Sequence, residues 1–231
     1  MSKNIKALIA SCKLFSDLSA AEIEIVFQAG KCQQIDDNGS FYQQGDHASS
    51  FYLLLDGRVK LSKVTKDGHQ ILARFLEPGQ AFGIVTVQES TQYPFTAQAV
   101  GPCAAMVWES KNLQDLLWRF PSIALNALQL MTEQCQEWQR RYEEVVTECV
   151  EQRIAQAVIR LVRQMGKRVK SGVLIDLPLS RQDLGEMTGT TLYTVSRILS
   201  RWEHQGLVKL GRERVIIRKR DDLVVIAEGM M

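Results

Sequence analysis

The sequence predicts an α+β chain in three parts: an antiparallel β-rich N-terminal half, a long dimerisation helix and a C-terminal winged helix-turn-helix. Three observations predict it. Gly45, Gly57, Gly68 and Gly79 fall 12, 11 and 11 residues apart between short apolar runs, the rhythm of an antiparallel sandwich or barrel. Residues 128–149 carry apolar or cysteine side chains at steps of three and four in alternation. The stretch 178–217 reads as helix, tight turn, helix and basic hairpin.

The elements follow in chain order. Residues 1–30 hold short helical patterns, LSAAEIEIVFQAG the clearest. From 31 to 109 the runs SFYLLL, RVKLSKV, HQILARF, FTAQAV and AAMVWES read as strands, separated by the turn signals DDNG, QQGD, LDG, KDG and EPG. KDG at 66–68 is a hairpin tip. Residues 111–149 contain Pro121 and no glycine. There Leu128, Met131, Cys135, Trp138, Tyr142, Val145 and Cys149 make a narrow heptad seam flanked by Glu, Gln and Arg, as a two-stranded coiled coil requires; the alternative is a helix packed on its own domain. Val150, Ile154, Ala157, Leu161 and Met165 then form a broader face of period 3.6, and the change near Glu151 marks a hinge. Gly166, Ser171 and Gly172 mark a basic loop. The boundaries that follow are 1–110, 111–149 and 150–231.

The last part carries the chemistry. Ser180 is placed to cap a short helix, with Asp183 three residues on, and Leu184 and Met187 form its apolar side. Gly189 can take the left-handed conformation that ends that helix. Thr190 or Thr191 caps the next one. In it, Val195, Ile198, Leu199 and Trp202 share a buried face, which leaves Tyr193, Ser196, Arg197, Ser200 and Arg201 pointing outward. Arginine forks onto guanine O6 and N7, and hydroxyls reach phosphates or bases, so this face suits double-stranded DNA. Gly206 closes the helix, and VKLGRERVIIR alternates around Gly211 as a wing with Arg212 in its basic tip.

Composition bounds the alternatives. Residues 150–231 carry 15 Lys+Arg against 9 Asp+Glu, whereas residues 1–149 carry 13 against 17, so a basic end meets polyphosphate beside an acidic remainder. The 231 residues suit two domains, and 45% hydrophobic with 23% charged residues is ordinary for a globular protein. No apolar run approaches the roughly 18 residues of a membrane span, and Ser11 and Lys13 break the only early apolar patch, so no membrane or secretory segment is expected. Five cysteines without a CxxC pair argue against a disulfide framework or a closed zinc site, and the cytoplasm follows as the expected compartment. An enzyme on a metal-binding barrel is the competing class. Only His47, His69 and His204 are present, with no HxH, no phosphate-binding glycine loop and no nucleophile signature, so no catalysis is expected.

The arrangement, and most specifically RIAQAVIRL and LSRQDLGEMTGTTLYTVSRILSRWEHQGLV, resembles the Crp/Fnr family of bacterial transcription regulators over nearly the whole chain. The resemblance implies a cyclic-nucleotide-binding-like β-roll as sensor, a homodimer, a pseudo-palindromic operator and RNA polymerase as a partner. It implies phosphate contacts for Ser180, Arg181 and Gln182, and places Thr190, Thr191 and Thr194 in the opening of the recognition helix. It gives Arg197 the role of guanine reader and makes Ser196 a second base contact. Tyr193 stands where the family usually has Glu, so the half-site differs from that of the best-known members. Where cyclic-AMP binders carry Gly-Glu and Arg-Ser/Thr, this chain reads Gly83–Ile84 and Phe95–Thr96, and a buried phosphate without a cation is costly, so cyclic AMP is excluded as effector. Cys12 and Cys32 do not form the N-terminal cluster of the iron–sulfur branch, which excludes a 4Fe–4S centre. An apolar effector pocket of Ile84, Val85, Phe95 and Trp138 remains. GTTLYTVSRIL resembles members that respond to nitrogen oxides, some through haem, with His69, His47 or a cysteine as axial ligand. Redox sensing by Cys135 or Cys149 is the other route. The rival to the whole reading is a degenerate ligand-binding regulator that acts through protein contacts without an operator.

Overall fold

The protein is represented by a computed structural model that describes residues 2–84 and 91–230. It divides into two compact units, Met1–Gln136 and Glu137–Met231.

The first unit opens with α1 (Ser2–Ser11), a single tight turn at Lys13–Phe15, and α2 (Ala20–Gln28). Ser19 starts α2 with a reciprocal cap: its hydroxyl accepts from the Glu22 N–H, and the Glu22 carboxylate accepts from the Ser19 N–H at 2.7 Å. Among the described residues six antiparallel strands follow: β1 (Lys31–Ile35), β2 (Ser40–Tyr42), β3 (Ser50–Val64), β4 (Gln70–Leu76), β5 (Ala81–Phe82) and β6 (Thr96–Glu109). Their order is β1-β6-β3-β4, with β2 also on β6 and β5 on β3. The long strands β3 and β6 pair from Ser50↔Glu109 to Ser62↔Thr96, and the register shifts on both sides of Asp56, which bends the ribbon into a roll. The KDG turn joins β3 to β4 as expected, with Gly68 at φ +80° and the Thr65 N–H donating to the His69 carbonyl at 2.9 Å.

SFYLLL and AAMVW are buried on both sides of the sheet, which is why they read as runs. Pleating sends Phe51, Leu53, Met106 and Trp108 to one core, shared with Ile9, Phe15, Val26 and Leu116 of the helices. It sends Tyr52, Leu54, Ala105 and Val107 to the other, inside the roll, with Phe41, Tyr42, Phe82 and Tyr93. The Trp108 indole N–H donates to the Val26 carbonyl at 2.8 Å, so the ring is buried with its polar atom satisfied.

Segment 111–149, read from sequence as one helix, is two: α3 (Ser110–Arg119) and α4 (Pro121–Thr147). Pro121 is the first residue of α4, where its missing N–H costs nothing. The helix stops at Thr147 and Cys149 caps the next one, so Cys149 leaves the heptad seam, which ends at Val145.

The second unit holds the C-terminal part of α4, then α5 (Val150–Met165), β7 (Gly166–Val169), β8 (Gly172–Ile175), α6 (Arg181–Thr188), α7 (Leu192–His204), β9 (Val208–Gly211), β10 (Arg214–Ile217) and α8 (Arg220–Ala227). The expected loop at 166–172 is instead a hairpin, because β8 finds β10 as a partner and the four strands form one sheet, β7-β8-β10-β9. Ile154, Ala157, Leu161 and Met165 of α5 are buried as the period predicts. An ionic cluster ties α4 to α5: Arg160 pairs with Glu144 and Glu137, and Arg141 pairs with Glu137 at 3.0 Å.

Candidate nucleic-acid interface

The interface is assembled by local chemistry at four chain positions. At the first, the Ser180 hydroxyl accepts from the Asp183 N–H at 2.9 Å and donates to its carboxylate at 2.6 Å, while that carboxylate accepts from the Ser180 N–H at 3.0 Å. This starts α6. At the second, Gly189 takes φ +64°, the left-handed cap read from the sequence. Gly185, which sequence reasoning passed over, lets the two helices close: a Cβ there would stand 2.8 Å from the Thr190 carbonyl. At the third, Thr191 rather than Thr190 caps α7, its hydroxyl accepting from the Thr194 N–H at 3.3 Å. Thr190 is half-buried, with its N–H bonded to the Gly185 carbonyl.

At the fourth, the wing β9–β10 turns at Arg212–Glu213, not at Gly211. Gly211 pairs with Arg214, and the positive φ, +49°, falls on Glu213. The Glu213 carbonyl accepts from the Leu179 N–H at 3.0 Å, and the Glu203 carboxylate accepts from the Leu210 N–H at 2.7 Å, so the turn end of the wing is fastened on both strands.

On α7, Val195, Ile198, Leu199 and Trp202 are buried. Tyr193, Arg197 and Ser200 are exposed, and Thr194 and Ser196 are half-buried. Arg201 points outward but is not at liberty there. It forms an ion pair with Glu151, whose other carboxylate oxygen accepts from the Trp202 indole N–H at 2.7 Å. Glu151 therefore anchors the recognition helix to α5, a role sequence reasoning missed because the partners lie 50 and 51 residues away. Of the other named residues, Arg212 is exposed, Arg181 is half-buried, and the exposed Gln182 donates to Glu186 at 2.9 Å.

Along α4, Leu128, Met131, Trp138, Tyr142 and Val145 are between 43% and 71% exposed, and Cys135 is exposed. The alternative of a stripe packed on its own domain does not hold for these side chains.

The effector residues are not gathered. Ile84 packs on the core beneath the helices, Phe95 packs on the core inside the roll, and Val85 lies outside the described residues. Trp138 lies on α4 with the Arg141 guanidinium 5.4 Å from its ring centre. His69 is exposed on the β3–β4 turn, and His47 and His204 are exposed too. No histidine enters either core, and among the described residues no group of three His, Cys, Asp or Glu is placed to hold a metal ion. The histidines do not fit a haem held in the roll; of the cysteines, Cys103 lies in the roll core, its thiol donating to the Arg58 carbonyl at 2.9 Å. Where cyclic-AMP binders carry a cation, Phe95 packs against apolar side chains, and the Thr96 hydroxyl accepts from the Gln44 N–H at 3.0 Å.

Comparison with known proteins agrees with this geometry. The cyclic nucleotide-binding domain matches residues 33–119 and the Crp-like helix-turn-helix domain matches residues 152–226. The chain belongs to the Crp/Fnr family of transcription regulators and is a DNA-binding regulator of that type. It is 28% identical to the nitrogen fixation regulation protein FixK of Azorhizobium caulinodans, over 90% of this chain and 84% of that one. It is 25% identical to the cyclic AMP receptor protein of Thermus thermophilus, over 94% and 97%. The structure of FixK2 from Bradyrhizobium japonicum shares the fold at a TM-score of 0.74 and 22% identity, over 85% of this chain and 96% of that one. Among the described residues no helix is long and apolar enough to cross a membrane.

Proposed function

We propose that the chain works as a homodimer that binds a pseudo-palindromic operator under the control of an effector other than cyclic AMP. Residues 1–110 form the sensor, 111–149 the dimerisation segment and 150–231 the reading head. Arg197 carries the reading: it is exposed on the face of α7 opposite the buried Val195, Ile198, Leu199 and Trp202. There it reads guanine, with Tyr193, Thr194 and Ser196 beside it. Ser180, Arg181, Gln182, Thr190, Thr191 and Arg212 hold the backbone, Ser180 and Thr191 through the helix starts they cap.

The exposed stripe from Leu128 to Val145 is the seam. Two copies zipped along it place two recognition helices about 34–36 Å apart, in successive major grooves. FixK regulates nitrogen fixation, and a nitrogen-oxide or redox signal fits this chain. The exposed Cys135 on the seam, with all three histidines exposed, favours a thiol route over a histidine-ligated haem. The expected compartment is the cytoplasm and the expected further partner is RNA polymerase.

Sedimentation of the full chain, followed by selection from a random duplex library, tests the reading. A dimer that enriches an inverted repeat and loses affinity steeply with salt is expected. Leu128→Glu should yield a monomer that keeps the wild-type circular dichroism spectrum but melts at a lower temperature, one that no longer depends on protein concentration. A wild-type monomer that enriches no repeat overturns the proposal.

A further inference from the structure

The recognition helix begins with two apolar side chains in water. Leu192 and Tyr193 are the first and second residues of α7, 40% and 79% exposed. Among the described residues nothing hydrogen-bonds the Tyr193 hydroxyl and no ring stacks on its face. The Thr191 cap fixes the backbone that carries both. Tyr193 gains little stability where it stands, since burial is what makes such a group favourable, and Leu192 leaves part of its side chain in water beside it.

Their place is that of base readers, because the N-terminal residues of such a helix meet base edges. Their chemistry narrows which edge they meet. A leucine has no donor or acceptor, and a phenol has no bidentate fork for guanine or adenine. Both offer apolar surface, and in the major groove the apolar feature of a base is the thymine 5-methyl group. Tyr193 lies four residues before Arg197 on the same exposed face. That separates them by about 6 Å along the axis, one to two base-pair steps of about 3.4 Å.

We propose that Tyr193, flanked by Leu192, is a specificity-determining residue that reads the methyl group of a thymine one or two base pairs from the guanine read by Arg197. The proposal rests on the operator-binding reading and deepens it.

The test takes the full-length protein and the duplex it selects from a random library, then replaces each thymine singly by deoxyuridine, which removes only the methyl group. One thymine per half-site, within two base pairs of the Arg197-dependent guanine, should be methyl-sensitive. Its replacement should weaken wild-type binding about four-fold, the effect of one buried methyl. Tyr193→Ala should bind the thymine and deoxyuridine duplexes equally, and its own selection should lose thymine at that position. Tyr193→Phe should keep the methyl sensitivity, because the ring is the reader. Three results overturn the proposal and leave operator binding intact: a selected site indifferent to every thymine methyl, a methyl effect unchanged in Tyr193→Ala, or a Tyr193→Phe that behaves as Tyr193→Ala. Failure of the wild type to enrich any sequence overturns operator binding and this proposal together.

Discussion

Tyr193 and the tyrosines of the β-roll are the same residue in opposite surroundings. Tyr193 stands in water at the start of α7, whereas Tyr42, Tyr52 and Tyr93 lie inside the roll with Phe41 and Phe82. Tyr42 and Tyr93 stack at 3.7 Å between ring centres, and Tyr52 stacks on Phe82 at 5.0 Å. Burial pushes the phenols of Tyr42 and Tyr93 well above their ordinary range and raises that of Tyr52, and for Tyr42 the neighbouring Tyr93 and Tyr52 add to it. These hydroxyls stay neutral: Tyr52 donates to the Phe41 carbonyl at 3.4 Å, and Tyr93 donates to the Ser50 carbonyl at 2.6 Å and accepts from the Ser50 N–H at 2.9 Å. The reading head meets a charged partner from solvent with exposed side chains and little internal aromatic packing. The roll commits its aromatic surface to itself, so a molecule that enters its core must displace stacked rings and satisfy Ser50 in their place.

The sharpest way to break this contrast is to hollow the reading head. Trp202→Ala removes a fully buried ring and its bond to Glu151, and should cost about 3–5 kcal/mol of unfolding free energy in urea. A loss below about 1 kcal/mol would show that the head is not organised around that ring. Arg197→Ala should leave the urea midpoint unchanged and cost about 1–3 kcal/mol in operator binding, with relaxed choice at one base pair. If it weakens every duplex equally, Arg197 touches only phosphate. In the roll, Tyr93→Phe deletes both bonds to Ser50 and should cost about 1 kcal/mol of stability, with operator affinity followed in parallel.

The smallest effect is on pH. Burial pushes the Glu137 carboxyl up, but the guanidinium groups of Arg141, Arg160 and Arg140 outweigh it and hold the carboxyl below its ordinary value. The stabilisation is therefore present above the unfolded value, about 4, and fades as pH falls through the lower folded value. Acid unfolding monitored by circular dichroism should show Glu137→Gln losing less stability than wild type below about pH 4. A steeper loss in the variant would contradict the sign.

What could be read from the chain differs between its ends for a physical reason. The helix-turn-helix rests on neighbours within four residues: Ser180 with Asp183, Gly189 with Gly185, Thr191 with Thr194. Such contacts leave spacing in the sequence. The 166–175 hairpin looked like a loop because its strand status comes from β10, some 40 residues on. Helix α8 carries no strong periodic signal and went unread. The apolar stripe of α4 was legible as a pattern because a heptad is local, and it stops at Val145 because the helix ends at Thr147 and Cys149 starts α5. Glu151 was taken for a hinge marker, and only folding shows what it grips. The effector residues named from sequence share no period, and two of them, Ile84 and Phe95, pack on different cores.

That grip makes α5 and α7 one lever. Glu151 holds Trp202 near the C-terminal end of α7, and Tyr193 lies nine residues away, about 13–14 Å along the axis. A tilt of about 15° about the anchored end sweeps the tip through about 3.5 Å, the height of one rung of the duplex. Modest angular changes at the start of α5 thus carry the tip of α7 by the length of a base-pair step while every bond inside the lever stays made.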